Sequence, residues 1–367
     1  MHIAFDAKRL FNNHTGLGNY SRTLVSNFKE NYHEEKVTLF ATETANSRYY
    51  SEFKSYEIVQ PGLTPKALWR SYSISKDINE LRPDIYHGLS NEIPFSASKI
   101  KATKIVTIHD LFFLKYPHDF SKIDRWLYKR KTVFSCDNAD HIIAISEATK
   151  ADLINYLNIK EEKISVVYQS CASLFQNNET SSTSDIYDLP SKYFLYVGTL
   201  NKRKNIQQLL RAIAKIPKKI RIPVVVVGGG TKSFMKSLMA QIESLGISND
   251  VVFLGSVDNQ SLKQIYHGAV CTVLTSFYEG FGIPIIESLF SRTPVIVSNV
   301  SALPEAAGDC GVQIDPSNVN ELVHALELFI VDTQIKNQFQ LNMDRHLKQF
   351  SAKATADRLH STYQRFV

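Results

Sequence analysis

An α/β protein built from two doubly wound, Rossmann-like units is the fold class this sequence predicts, on three observations. Short apolar runs rich in β-branched residues alternate with longer stretches of helical period, the pattern of buried parallel strands joined by crossover helices. The alternation breaks once, at a polar stretch within residues 176–191, and then restarts. The length of 367 residues divides into about two domains of ordinary size.

In chain order, residues 2–6 (HIAFD) read as a buried opening strand, without the basic-then-apolar layout of a signal peptide. Further strand candidates are 37–42, 84–88, 104–108, 141–145 and 164–168, with helical segments between most of them, as parallel pairing requires. Residues 1–175 are therefore expected to form an N-terminal domain. The run of Asn, Glu, Thr and Ser from Asn177 to Ser184 cannot contribute to a core, so 176–191 is read as a linker. Strands are expected again at 193–198, 222–227, 251–255, 269–274 and 294–298. After Asn205, the residues Ile206, Leu209, Leu210 and Ile213 recur at i, i+3, i+4 and i+7, which predicts a helix. Residues 192–345 form the expected C-terminal domain, and 346–367 a closing helix that packs back on the first. Sheets of this class bind ligands beyond the carboxyl ends of their strands, so the two units are expected to face each other across a cleft.

The composition, 44% hydrophobic and 21% charged with 12 prolines and 15 glycines, excludes a disordered or collagen-like chain. No apolar run approaches the roughly 20 residues that cross a bilayer, and a cytoplasmic location follows by default. Cys136, Cys171, Cys271 and Cys310 are far apart and form no C-x-x-C pair, which favours buried thiols over a zinc site or disulfide framework. A net charge of +6 does not argue a nucleic-acid partner. The excess is local: residues 99–131 hold nine basic and three acidic side chains, a difference equal to the whole +6. Phe112, Phe113, Tyr116, Phe120, Trp126, Leu127 and Tyr128 are interleaved with them. Two readings stand: peripheral contact with anionic lipid headgroups at the inner face of the membrane, or core aromatics beside solvated lysines.

The most informative stretch is 275–288, TSFYEGFGIPIIES. Gly280 and Gly282 permit positive φ and close approach of a ligand, and Pro284 suits the first turn of a helix. The free N–H groups of such a helix start favour a phosphate; a plain strand-to-helix turn is the other reading. Along a helix, Glu279 and Glu287 would stand roughly 12 Å apart, too far for a retaining glycosidase pair at about 5 Å. They are better placed to grip hydroxyls at two ends of one ligand. Arg203 and Lys204 open a helix at Asn205, and two cations beside a positive dipole end call for an anion such as a diphosphate. The plainer alternative is a solvated pair with Asn205 as N-cap. Gly16 and Gly18 lie nine residues beyond the first strand and lack a third glycine, Ser21 standing there, so they form no dinucleotide fingerprint. They read as a glycine loop ahead of an amphipathic helix. His109 follows a strand and should sit at its carboxyl end, with Asp110 either orienting the imidazole or capping the next segment. No Asp-x-Asp pair occurs, so no divalent metal is expected, and cationic side chains and helix ends take over its work.

The arrangement from Glu279 to Glu287, Glu-Gly-Phe-Gly-Ile-Pro-Ile-Ile-Glu, resembles the signature of family 4 retaining glycosyltransferases of the GT-B fold. Further matches run in order through nearly the whole chain: Gly16-Leu-Gly18, Thr107-Ile-His109-Asp110, Ala144-Ile-Ser146-Glu147, the stretch from Tyr196 to Asn205, Val252-Phe-Leu-Gly255 and Leu303-Pro-Glu305. The resemblance implies that Glu287 binds the nucleotide ribose and that Glu279 lies at the donor sugar with the amides of Gly280, Phe281, Gly282 and Ile283. It implies that Arg203 and Lys204 neutralise the leaving diphosphate, that Gly16, Gly18 and Gly198 approach the donor, and that Ser256 and Val257 lie at the base. His109 contacts the donor sugar or positions the acceptor. At Thr199 many members carry an arginine, and whether Arg203 supplies that charge is left open. The implied reaction moves a hexose from a nucleotide-diphosphate sugar, without metal, to a glycan or lipid-linked acceptor in bacterial surface polysaccharide synthesis. The style of residues 198–205 is similar to bacterial mannosyltransferases, which favours GDP-mannose. A sugar-nucleotide epimerase of the same fold and a non-catalytic sugar- or membrane-binding module are the alternatives.

Overall fold

The computed structural model describes residues 1–44, 47–177, 187–332 and 334–367. The chain divides into two compact units, Met1–Ser170 with Ala352–Val367, and Cys171–Ser351.

The first unit is built on β1 (His2–Asp6), β2 (Lys36–Phe40), β3 (Glu57–Val59), β4 (Ile85–Gly88), β5 (Thr103–Ile108), β6 (His141–Ala144) and β7 (Ile164–Val166). They form one sheet in the order β3-β2-β1-β4-β5-β6-β7, and every pairing is parallel. The order reverses direction between β1 and β4, so the two strand ends there diverge into opposite crossovers and leave a crevice. Ile3, Phe5, Ile85, Ile105 and Ile142 are wholly buried, as expected of strands covered on both faces.

The second unit contains β8 (Phe194–Val197), β9 (Val224–Val227), β10 (Val251–Gly255), β11 (Cys271–Leu274), β12 (Val295–Ser298) and β13 (Gly311–Ile314), in the order β10-β9-β8-β11-β12-β13. All pairings are again parallel. The expected helix after Asn205 spans Ile206–Lys215 and buries Ile206, Leu209, Leu210 and Ile213.

Three features differ from the expectations, and one expectation falls outside the described residues. Sequence patterning missed β3 and β13, which lie at the edges of their sheets and bury fewer side chains than the central strands. Residues from Cys171 to Phe175 belong to the second unit, where the turn of helix Ser173–Gln176 sets Phe175 edge-on against Tyr266 at 6.1 Å. Of the stretch read as a linker, 178–186 lie outside the described residues. Residues 346–351 stay with the second unit, and the first regains the chain only at Ala352.

The returning helix, Ala352–Gln364, packs on helix Gly16–Asn31. His360 stacks on Tyr32 with ring centroids 3.8 Å apart, and the Tyr32 hydroxyl donates to Asp357 at 2.7 Å. Tyr363 reaches the sheet itself: its hydroxyl lies 2.6 Å from His87 Nδ1, and His87 Nε2 lies 2.8 Å from the Thr107 hydroxyl.

The basic, aromatic segment divides between its two readings. Phe113 is buried and Phe120 packs against the first core. Helix Lys122–Asn138, capped by Ser121, which accepts the Asp124 amide, instead exposes every residue of its first half. Ile123 is 77% and Trp126 58% exposed, beside Leu127 and Tyr128.

Candidate functional site

The carboxyl edge of the second sheet is shaped by glycines. The Gly198 amide donates to the Val227 carbonyl at 3.0 Å, and the Gly228 amide to the Gly255 carbonyl at 2.7 Å. Three strand ends are thereby drawn so close that a Cβ on Gly228 would stand 2.1 Å from the Gly198 oxygen. Beyond this edge, residues 198–205 lead into helix Ile206–Lys215, and residues 275–282 into helix Ile283–Phe290, which carries Pro284 in its first turn. Gly282 makes the turn into that second helix at φ +123°, a conformation that strains any residue with a Cβ.

Glu279 is the centre of the first constellation. One of its carboxylate oxygens accepts from the Lys204 ammonium at 2.5 Å and the Ser276 hydroxyl at 2.7 Å; the other accepts from Arg203 Nη1 at 2.9 Å. The same Nη1 donates to the Tyr278 carbonyl at 2.6 Å, and the Glu279 amide donates to Ser301 Oγ at 3.0 Å. Burial alone would raise the acid's pKa, but Lys204, then Arg203, with hydrogen bonds from Lys204 and Ser276, hold it down to about 2. A buried carboxylate with three charged or hydroxyl donors stays ionised and fixed in place. Asn205 does not cap its helix. It adopts a left-handed conformation, and its amide donates to the Thr275 and Pro316 carbonyls at 3.1 and 3.0 Å, tying the two helix-leading loops together. Neither Ser276 nor Ser301 stands out in the sequence, because a serine reveals a ligand or loop role only once its neighbours are known.

Glu287 occupies a different environment. It lies in the second turn of its helix, and the Tyr266 hydroxyl donates to its carboxylate at 3.0 Å. The surrounding protein pushes its pKa up to about 7, against the opposing hydrogen bond. The two carboxyls thus differ in kind, Glu279 held ionised by its cations and Glu287 pushed towards its neutral form by burial. Phe281 turns its ring into the unit's own core, edge-on to Phe350 at 5.6 Å, so any ligand contact there falls to its backbone. Ser256 is exposed and Val257 partly buried, between β10 and the helix Asn259–Gly268 that Asp258 caps.

In the first unit the glycine-loop expectation is corrected. Gly16 and Gly18 stand in the first turn of helix Gly16–Asn31, and the Gly18 amide is taken by Asn13 Oδ1 at 3.1 Å and the Thr15 carbonyl at 3.0 Å. His109 does follow β5 and is buried. Its Nε2 lies 2.8 Å from the Leu89 carbonyl, which can only accept, so Nε2 carries the proton and Nδ1 the lone pair. Burial drives the imidazole pKa down to about 4; the Leu89 contact opposes this and Arg9 adds to it. The ring is therefore neutral, and Tyr20 packs edge-on against it at 4.5 Å. Asp110 accepts from the Phe112 amide at 3.2 Å, while Leu89 supplies the contact that orients the imidazole.

Two parallel Rossmann-like sheets, with an acid–cation cluster at the carboxyl edge of the second, define a protein of the GT-B fold class. Solved structures agree on the fold. A glycosyltransferase from Rickettsia africae aligns over 100% of this chain and 98% of its own, with TM-score 0.78 and 17% identity. Anabaena HepE in complex with UDP aligns over 100% of both chains, with TM-score 0.78 and 18% identity. The glycosyl transferases group 1 family model matches residues 179–346, and the glycosyltransferase family 4 model matches residues 14–170. The O-antigen chain mannosyltransferase B of Escherichia coli is 30% identical over 257 residues, which are 68% of this chain and 66% of that protein. The O-antigen chain mannosyltransferase RfbU of Salmonella typhimurium is 29% identical over 218 residues, 58% of this chain and 57% of that protein. This chain belongs to the family 4, group 1 glycosyltransferases. It spans about two thirds or less of the length of the curated relatives it matches.

Proposed function

We propose that this protein is a retaining glycosyltransferase that moves a hexose, with mannose favoured, from a nucleotide-diphosphate sugar to a hydroxyl of a glycan or lipid-linked acceptor in bacterial surface polysaccharide synthesis. The observation that carries the reading is the buried meeting of Glu279 with Lys204 and Arg203 at the sheet's carboxyl edge. Without ligand the two cations answer the carboxylate. A diphosphate gives them a second anion and frees carboxylate lone pairs for sugar hydroxyls, and the negative charge growing on the leaving group strengthens the cation contacts in the transition state. Glu287 is assigned to the ribose, where hydroxyl donors favour its ionised form. The O-antigen mannosyltransferase relatives favour GDP-mannose, and fixed cations in place of an Asp-x-Asp pair favour chemistry without a metal.

The test is thermal shift and calorimetry with GDP-, UDP- and ADP-sugars, followed by turnover in excess EDTA and NMR of the product anomer. Stabilisation by one donor, transfer that survives EDTA and a retained anomeric configuration are the expected results. A product that forms from the donor alone, without acceptor, would identify an epimerase instead.

The same reading includes peripheral contact with the inner face of the membrane. It is supported by exposed Ile123, Trp126 and Leu127 beside Lys122, Arg125, Lys129 and Arg130, since each basic side chain near an anionic surface contributes on the order of 1 kcal/mol. Among the described residues no helix is long and apolar enough to cross a membrane. Co-sedimentation with anionic vesicles, weakened when Lys129, Arg130 and Lys131 are all changed to glutamine, is expected. A protein that stays in the supernatant with anionic and neutral vesicles alike at low salt refutes the contact.

A further inference from the structure

A cavity of about 360 Å³ opens in the first unit and is lined, apart from Lys131 of the basic segment, by residues that the sequence did not single out. It lies at the topological switch of the first sheet, bordered by Lys8 just after β1, Thr42 just after β2 and Glu92 just after β4. Its size suits a ligand of several ring or chain atoms.

The charges around it are unbalanced in a particular way. Arg70 is fully engaged: it donates to Asp6 through Nε at 3.0 Å and Nη2 at 2.7 Å, and to Glu92 through Nη1 at 2.7 Å. Lys66 pairs with Glu43 at 2.7 Å, and Lys131 approaches Glu92 at 3.5 Å. Lys8 is half-buried, yet among the described residues its ammonium has no hydrogen bond or ion pair. Burial, then the Arg70 charge, push its pKa down, opposed by Glu92 and Asp6, whose carboxylates are both already bonded to Arg70. A desolvated lysine beside an arginine is costly unless an anion joins it. Phe95 and Phe134, meeting edge-on at 5.1 Å, add an aromatic surface to its lining.

We infer that this cavity is an anion subsite for the acceptor, with Lys8 as its principal contact and a phosphoryl group as the chemistry it takes. The inference rests on the glycosyl-transfer reading above. A planar carboxylate is matched best by an open guanidinium fork, and the fork of Arg70 is already closed on Asp6. Point-charge ammonium groups approaching from Lys8, Lys66 and Lys131 suit the several oxygens of a phosphate. The aromatic surface then accommodates what the phosphate is attached to, a sugar ring or a prenyl chain.

The experiment is calorimetry on the full chain with inorganic phosphate, glucose 6-phosphate and geranyl phosphate, comparing wild type, Lys8→Gln, Lys8→Arg and Lys204→Ala. Phosphate affinity is expected to fall tenfold or more in Lys8→Gln, to be largely restored in Lys8→Arg and to persist in Lys204→Ala, which cripples the other anion site. Tighter binding of the sugar phosphate or of the prenyl phosphate tells a soluble acceptor from a lipid-linked one. Unchanged phosphate affinity in Lys8→Gln, or none left in Lys204→Ala, overturns the inference. Nucleoside-diphosphate affinity of Lys8→Gln is the separate control: it stays at the wild-type value if only the acceptor subsite is altered, and if wild type binds no nucleotide it is the glycosyl-transfer reading that fails.

Discussion

Glu279 and Glu287 stand on one glycine turn and the helix it opens, and their acidities are pushed in opposite directions. The folded pKa of Glu287, about 7, lies above its ordinary 4.5, so the native state holds the extra proton between those values and stability falls as pH rises through that window. A shift of that size corresponds to a few kcal/mol at most. Glu287→Gln is therefore expected to melt higher than wild type at pH 8 and to match it near pH 4.5, while binding the nucleoside diphosphate more weakly by roughly 1.5 to 3 kcal/mol. Melting curves against pH, with calorimetry, check both halves. The folded pKa of Glu279, about 2, is depressed; its contribution is fully present above pH 4.5 and is lost as pH falls towards 2. Lys204→Ala leaves Arg203 to hold Glu279, so turnover is expected to fall by more than donor affinity does. Equal losses in kcat and in donor binding would return Lys204 to a ground-state role.

At the scale of elements, the close approach of three strand ends is the feature most exposed to substitution. Gly228→Ala places a methyl 2.1 Å from a backbone oxygen at φ +124°, which no side-chain rearrangement relieves. A loss of at least about 2 kcal/mol is expected, by analogy with strained and overpacked sites, and urea melts followed at the second unit measure it. Most of these elements were legible beforehand because central parallel strands, buried on both faces, read as unbroken apolar runs, Val224–Val227 above all. Glu57–Val59 and Gly311–Ile314 were not legible: as edge strands they cover only one neighbour and carry too few apolar residues to stand out. Gly16 and Gly18 misled for a different reason, since glycine announces a loop by propensity while here both stand in a helical turn, Gly18 pressed against Asn13. Periodicity could not bring Arg203 and Lys204 to Glu279, more than seventy positions away; family resemblance pointed to all three, and the structure shows the contact. Tyr266 and Ser276 carried no signal at all.

Across the whole molecule, the sixteen residues Ala352–Val367 belong to the unit that the chain left at Ser170. Removing them deletes the Tyr363 contact to His87, the Tyr32 contacts to Asp357 and His360, and the cover over Phe28. A chain cut after Ser351 is expected to lose hydrogen-exchange protection in β4 and β5 while β8 and β11 keep theirs; equal loss in both sheets would show that the helix supports more than its own unit. The discontinuity also orders events in time. A ribosome delivers residues from the amino end, so the second unit, continuous from Cys171 to Ser351, has its full complement of partners before the first does. The earlier-made sheet waits with the His87 imidazole and the Phe28 ring uncovered until Tyr363 emerges. Synthesis thus reverses the usual first-in, first-finished sequence of domains, and nascent chains stalled short of that tyrosine should be the ones that engage chaperones.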